Sequence, residues 1–163
     1  MNINKALFLD RDGVINKDRG YVFKTESLEI LDGIIPLSQK AQNLGYKLIV
    51  VTNQSGIGRG YYTEADFWNF MEAISMEFAK FGVKFDAIYF SPYHHESKIE
   101  KYQNGEEFRK PNAGMMLQAQ KDFNLELEQS ILIGDKPTDI EAGMKAGVGR
   151  NILIQRNVAG IVL

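Results

Sequence analysis

The sequence predicts an α/β fold in which one parallel sheet carries helices on both faces. Three observations predict it. Five short apolar runs recur along the chain, helical patterns fill the intervals between them, and the runs are mostly continuous rather than alternating apolar with polar. Continuous runs suit strands covered on both sides. Strand–helix alternation in turn selects right-handed crossovers between parallel strands.

The first strand is expected at Ala6–Leu9. A helix follows, with Ile34, Leu37, Ala41 and Leu44 at three- and four-residue spacing and Gly45 as its stop. The second strand is Leu48–Val51. Thr63 then caps a helix that stacks Phe67, Phe70, Met71, Ile74, Phe78 and Phe81 before Gly82. The third strand is Ala87–Phe90, and residues 91–110 form a long irregular loop, a feature that in a compact domain is usually functional or disordered. A helix over Gly114–Phe123 leads to the fourth strand, Ile131–Ile133. A short helix starting near Thr138 and stopping at Gly147 precedes the fifth strand, Ile152–Ile154.

At 163 residues the chain has the size of a single domain, 1–163, with the 91–110 loop as an insertion. The absence of cysteine excludes disulfides, thiolate catalysis and sulfur-ligated metals. A net charge of −2 gives no cationic field for nucleic acid or an anionic membrane, so neither is expected as a partner. The apolar runs are too short to span a bilayer, and acid follows the first of them at once, unlike a signal peptide. A soluble, cytoplasmic monomer is the expectation.

In parallel α/β sheets the ligand site lies beyond the C-terminal ends of the strands. The first strand runs into Asp10-Arg11-Asp12-Gly13, whose two carboxylates can face one spot. Such a pair is relieved by a shared proton or a cation, of which Mg²⁺ is the natural one; a solvated acidic turn is the alternative. Thr52-Asn53-Gln54-Ser55-Gly56 ends the second strand with groups able to hold a phosphate, or forms a plain polar loop. Gly134-Asp135-Lys136 ends the fourth, so Asp135 can join Asp10 and Asp12, while Asp139 stands behind them or serves as a first-turn helix charge. Arg109-Lys110-Pro111 closes the long loop with two charges suited to a phosphoryl group or to the surface.

Taken together, in this order and each at a strand end, these motifs resemble those of the haloacid dehalogenase (HAD) superfamily of phosphohydrolases. Leu9–Asn16, Gly20-Tyr21-Val22, Thr52–Ile57 with Arg59-Gly60, Arg109-Lys110-Pro111 with Gly114-Met115, and Gly134-Asp135-Lys136 narrow the likeness to the D-glycero-D-manno-heptose bisphosphate phosphatases, close relatives of the histidinol-phosphate phosphatases. The resemblance implies a Rossmann-like, HAD-like sheet. Roughly forty residues separate Asp12 from Thr52, too few for a separate cap domain.

The resemblance also implies roles. Asp10 attacks phosphorus and forms an aspartyl-phosphate; Asp12 protonates the leaving oxygen and then activates water. Mg²⁺ is held by Asp10, the Asp12 carbonyl and Asp135, with Asp139 behind them. Thr52 and Lys110 clamp the transferring oxygens. Asp18, Arg19, Gly20, Tyr21, Asn53, Gln54, Ser55, Arg109 and Lys136 select a small phosphorylated sugar. Apart from the resemblance, the charge and position of Arg59 suit it to reach a second, distal phosphate. The implied reaction is removal of the 7-phosphate from D-glycero-D-manno-heptose 1,7-bisphosphate, on the way to nucleotide-activated heptose. Histidinol phosphate is the alternative substrate.

One stretch departs from the family pattern. Members with zinc carry three cysteines and a histidine in the loop before Arg-Lys-Pro, where this chain reads Ser91-Pro92-Tyr93-His94-His95 and Glu106-Glu107-Phe108. No zinc is expected, both histidines are read as solvated, and packing through Tyr93, Tyr102 and Phe108 is left to hold the loop. A phosphorylated signalling receiver domain shares the acids, Thr and Lys. It normally carries its acceptor aspartate after the third strand, where this chain has Ser91-Pro92.

Overall fold

The computed structural model describes residues 3–163. Its five strands are β1 (Lys5–Leu9), β2 (Tyr46–Asn53), β3 (Ala87–Ser91), β4 (Ile131–Gly134) and β5 (Arg150–Leu153), all parallel, in the order β3-β2-β1-β4-β5. The helices are α1 (Ile34–Asn43), α2 (Ser55–Gly58), α3 (Glu64–Ala79), α4 (Gly114–Phe123) and α5 (Pro137–Ala146). The expected α/β class is what the chain adopts, with α2 as the one helix absent from the sequence reading.

Alternation along the strands divides the core in two. Leu7, Leu9, Leu48, Val50, Ile131 and Ile133 face α1 and α3, whereas Ala6, Phe8, Ile49, Val51 and Leu132 face α4 and α5. Both faces are therefore apolar, which is why the runs look continuous in sequence.

Two residues leave the expected helical stripes. Phe81 is 56% and Leu44 47% exposed. In each case the helix has already stopped, at Ala79 and at Asn43, so the 3.6-residue period no longer sets the direction of the side chain. The start of α3 follows expectation: Thr63 accepts from the Asp66 N–H while Asp66 accepts from the Thr63 N–H. Residues 91–110 are less irregular than expected, containing 3₁₀ turns at Glu100–Tyr102 and Glu106–Phe108.

The topology places the site. β1 is flanked by β2, which precedes β3 on one side, and by β4, to which the chain returns on the other. Crossovers leave β1 and β4 in opposite directions, so a crevice opens beyond their C-terminal ends. Among the described residues no helix is long and apolar enough to cross a membrane.

Candidate active site

Asp10 is the first residue past β1, and its N–H still bonds the Ile133 carbonyl at 3.1 Å, which fixes it between β1 and β4. The chain then turns sharply, with the N–H groups of Val14, Ile15 and Asn16 all on the Arg11 carbonyl. Gly13 has φ +88°, and a Cβ there would stand 2.0 Å from Asp135 Oδ2. Glycine is thus required both by the turn and by the approach of the β4 loop.

Lys110 arrives from the far end of the long loop. Asn53 at the tip of β2 donates to the Lys110 carbonyl and accepts from its N–H, both at 3.0 Å. That double bond to the backbone aims the buried ammonium, which donates to Val51 O at 2.8 Å, Asp10 Oδ1 at 3.0 Å and Asp139 Oδ1 at 2.6 Å. All three of its hydrogens are used. Asp139 spends its other oxygen on the N–H groups of Asp135 and Lys136, at 3.1 and 3.0 Å. Both of its oxygens are engaged, so it braces the start of α5 and the lysine.

Burial pushes the Asp10 carboxyl well above the ordinary range; Lys110 works against this, while Asp139, Asp12 and Asp135 add to it. Asp135 is also raised, by burial first and with a further push from Asp139, against hydrogen bonding to Asp10 and the charge of Lys136. For Lys110 burial pulls down, but Asp10 and Asp139 overcome it and hold the ammonium above the usual lysine value.

Asp10, Asp135 and Asp139 each present an oxygen within 4.8 Å of the others. Asp135 Oδ1 is buried without a hydrogen-bond partner. An orphaned carboxylate oxygen beside a second carboxylate, both made reluctant to ionise, is a donor set that fits a hard divalent cation.

Asp12 is held from several sides. Its Oδ1 accepts from Arg11 Nη2 at 2.9 Å and Asn16 Nδ2 at 3.0 Å, and its Oδ2 from Gln54 Nε2 at 3.0 Å. Arg11 is fully buried, with its guanidinium 4.6 Å from the Phe70 ring centroid and bonded to Val22 O. Sequence reasoning passed over Arg11, Asn16 and Tyr62. A cation between two acids in one turn was the available signal for Arg11; nothing local marked the other two.

The crevice is a cleft of about 470 Å³. Of the residues expected to select substrate, Asp18, Gly20, Tyr21, Asn53, Gln54, Ser55, Arg59, Arg109 and Lys136 line it, together with Asp12 and Lys110. Arg19 does not: its exposed side chain turns away, 3.7 Å from Glu29, which corrects its expected place. Gly20 and Tyr21 both have positive φ, so the chain bends just after Arg19. Thr52 is buried beside Gln54, whose Nε2 lies 2.9 Å from its Oγ1.

The loop opposite brings His94, His95 and Glu96 within reach of one another. Tyr93 packs on Phe108 and Tyr102 with ring centroids 6.4 and 6.3 Å apart, and Gly105 lies so close that a Cβ would stand 2.7 Å from the Tyr93 ring. His94, expected to be solvated, instead has Nε2 3.3 Å from Arg59 Nη2 and Nδ1 accepting from the Glu96 N–H. With His94 Nδ1 already accepting from the Glu96 N–H and a guanidinium standing beside Nε2, the His94, His95 and Glu96 group does not fit a zinc ion.

Comparison with known proteins gives four further findings. A HAD-hydrolase-like family model matches residues 107–159. The D-glycero-alpha-D-manno-heptose-1,7-bisphosphate 7-phosphatase of Burkholderia mallei is 55% identical over 93% of this chain and 80% of its own. The corresponding beta-named phosphatase of Helicobacter pylori is 46% identical over 96% and 87%. Among solved structures, the D,D-heptose 1,7-bisphosphate phosphatase of B. bronchiseptica, complexed with magnesium and phosphate, superposes with a TM-score of 0.79 at 26% identity, covering 91% of this chain and 79% of that one.

Proposed function

Because this chain belongs to the HAD-like heptose-1,7-bisphosphate 7-phosphatases, and is thus a phosphoric monoester hydrolase, we propose that it removes the 7-phosphate of D-glycero-D-manno-heptose 1,7-bisphosphate through an aspartyl-phosphate, with Mg²⁺. The product would feed the synthesis of nucleotide-activated heptose.

The observation that supports a bisphosphate substrate is a second cationic pole. Arg59 and Arg109 both line the cleft, and Arg59 Nε and Arg109 Nη1 are buried without a partner. Burial, and then Arg59, pull the Arg109 guanidinium below its ordinary value, with Glu106 opposing. A distal phosphate would offset the two guanidinium charges together. The other pole is the Asp10–Lys110–Asp139 cluster.

The residues divide the work as follows. Asp10 attacks phosphorus, the ester P–O bond breaks, and Asp12 gives its proton to the leaving oxygen. Asp12 then takes a proton from the water that hydrolyses the aspartyl-phosphate. Thr52 and Lys110, the latter exchanging one of its three present acceptors, donate to the equatorial oxygens, where negative charge is spread in the transition state. Asp10, Asp135 and the Asp12 carbonyl would hold Mg²⁺, whose charge, when bound, offsets repulsion between the carboxylate and the phosphate dianion. Asn53, by pairing with the Lys110 backbone, keeps the ammonium aimed at this centre.

The test is Mg²⁺-dependent phosphate release from both anomers of the heptose bisphosphate and from histidinol phosphate. One heptose anomer is expected to show a kcat/KM at least about 10²-fold above that of histidinol phosphate, about 2.7 kcal/mol of discrimination. Preference for histidinol phosphate would overturn the substrate. Metal analysis of protein purified without chelator is expected to find no stoichiometric zinc; one zinc per chain would overturn the account of the 91–110 loop.

A further inference from the structure

Behind the cleft runs a chain of hydrogen bonds that ends on a tyrosine. Tyr62 Oη donates to Gln54 Oε1, and the two residues are 5% and 2% exposed. A phenol can donate or accept, so the direction of the amide is decided at its other end, where the Asp12 carboxylate only accepts. Nε2 must then lie there, its two hydrogens meeting Asp12 Oδ2 at 3.0 Å and Thr52 Oγ1 at 2.9 Å. A flipped amide would set oxygen against the Asp12 carboxylate. The tyrosine itself cannot drift: Phe23 stacks on it at 5.0 Å and 14°, and a Cβ at Gly56 would lie 2.3 Å from its Cε1.

We infer that Tyr62 is a positioning residue for phosphoryl transfer, acting through Gln54 on Asp12, the group that treats the leaving oxygen. The inference rests on the role proposed above for Asp12. Because Asp12 is gripped on Oδ1 by Arg11 and Asn16 and on Oδ2 by Gln54, its carboxyl plane is set before substrate arrives. Loss of the tyrosine hydroxyl leaves Gln54 Oε1 buried and unpaired and lets the amide turn.

Two aryl esters separate positioning from a general structural loss. p-Nitrophenolate leaves without a proton, whereas the far more basic phenolate needs one. Tyr62→Phe is expected to lower kcat/KM for phenyl phosphate about tenfold and for p-nitrophenyl phosphate less than about threefold. Equal losses on the two esters, or no loss, would overturn the inference. Gln54→Met keeps the chain length, removes both donors, and is expected to give the same split. In the double variant, Tyr62→Phe is expected to add nothing to Gln54→Met, and losses that multiply would show that Tyr62 acts by another route. The esters contain no heptose, so a wrong sugar assignment leaves this result standing. A parent enzyme inactive on these esters and on the heptose bisphosphates alike would overturn the phosphatase roles and the inference together.

Discussion

Asp10→Asn is expected to lower phosphate release by at least about 10⁴-fold while the protein stays folded, as measured by turnover and by thermal unfolding of the same preparation. An amide has the shape of the carboxylate but no nucleophilic oxyanion, so the covalent step is lost. The fold should tolerate the change because Lys110 keeps Asp139 and the Val51 carbonyl as partners. Burial and three neighbouring carboxylates already disfavour the charge on Asp10, so its removal relieves repulsion. Without divalent cation the variant is therefore expected to melt at or above the parent. With Mg²⁺ present the parent should gain more, since only it keeps both carboxylates. Retained turnover would remove Asp10 as the nucleophile.

Lys110→Met is expected to damage activity and stability together. It takes a donor from Asp10 Oδ1, Asp139 Oδ1 and Val51 O in a place almost closed to water, the side chain being 2% exposed. Breaking a buried ion pair on one side costs about 3 kcal/mol, which for a chain of this size is about 6–12 °C in Tm. The sign of the pH dependence follows from Asp10. Without the ammonium, which lowers its pKa, the carboxyl rises further above its unfolded value. A raised carboxyl favours the folded state below the unfolded pKa and loses that contribution as pH climbs through the folded pKa. The stability deficit of the variant should therefore be smallest in acid and widen towards neutrality, as denaturant titrations at a series of pH values would show. Turnover should fall by about 10²–10³, the cost of one donor to developing charge. A variant as stable as the parent at pH 7 would mean that the three acceptors find other partners.

The strands were legible because both faces of the sheet are covered. That burial writes itself into the chain as runs such as Leu48–Val51, and helix stops at Gly45 and Gly147 mark the ends between them. The acids past β1 and β4 were legible for a related reason: topology puts strand C-termini at the ligand, so residues after an apolar run are the ones to inspect. Arg19 and His94 were misplaced, since in loops no period says where a side chain points. Arg11 and Tyr62 lay hidden for the opposite reason. Each is buried against aromatic rings contributed by distant segments, Phe70 under the guanidinium and Phe23 on the phenol.

The sequence by itself determined the fold class, the order of the strands' polar termini and the chemical kind of the residues at them, because these depend on neighbours in the chain and on whether a segment is buried. Tertiary structure alone decided that Lys110 spans from the loop to Asp10 and Asp139, that Gln54 is locked by Tyr62 against Asp12, and that Arg59 and Arg109 share one wall of the cleft. Those pairings join residues far apart in the chain or turn on side-chain direction, and both are fixed only when the sheet, its crossovers and the returning loop close on one crevice.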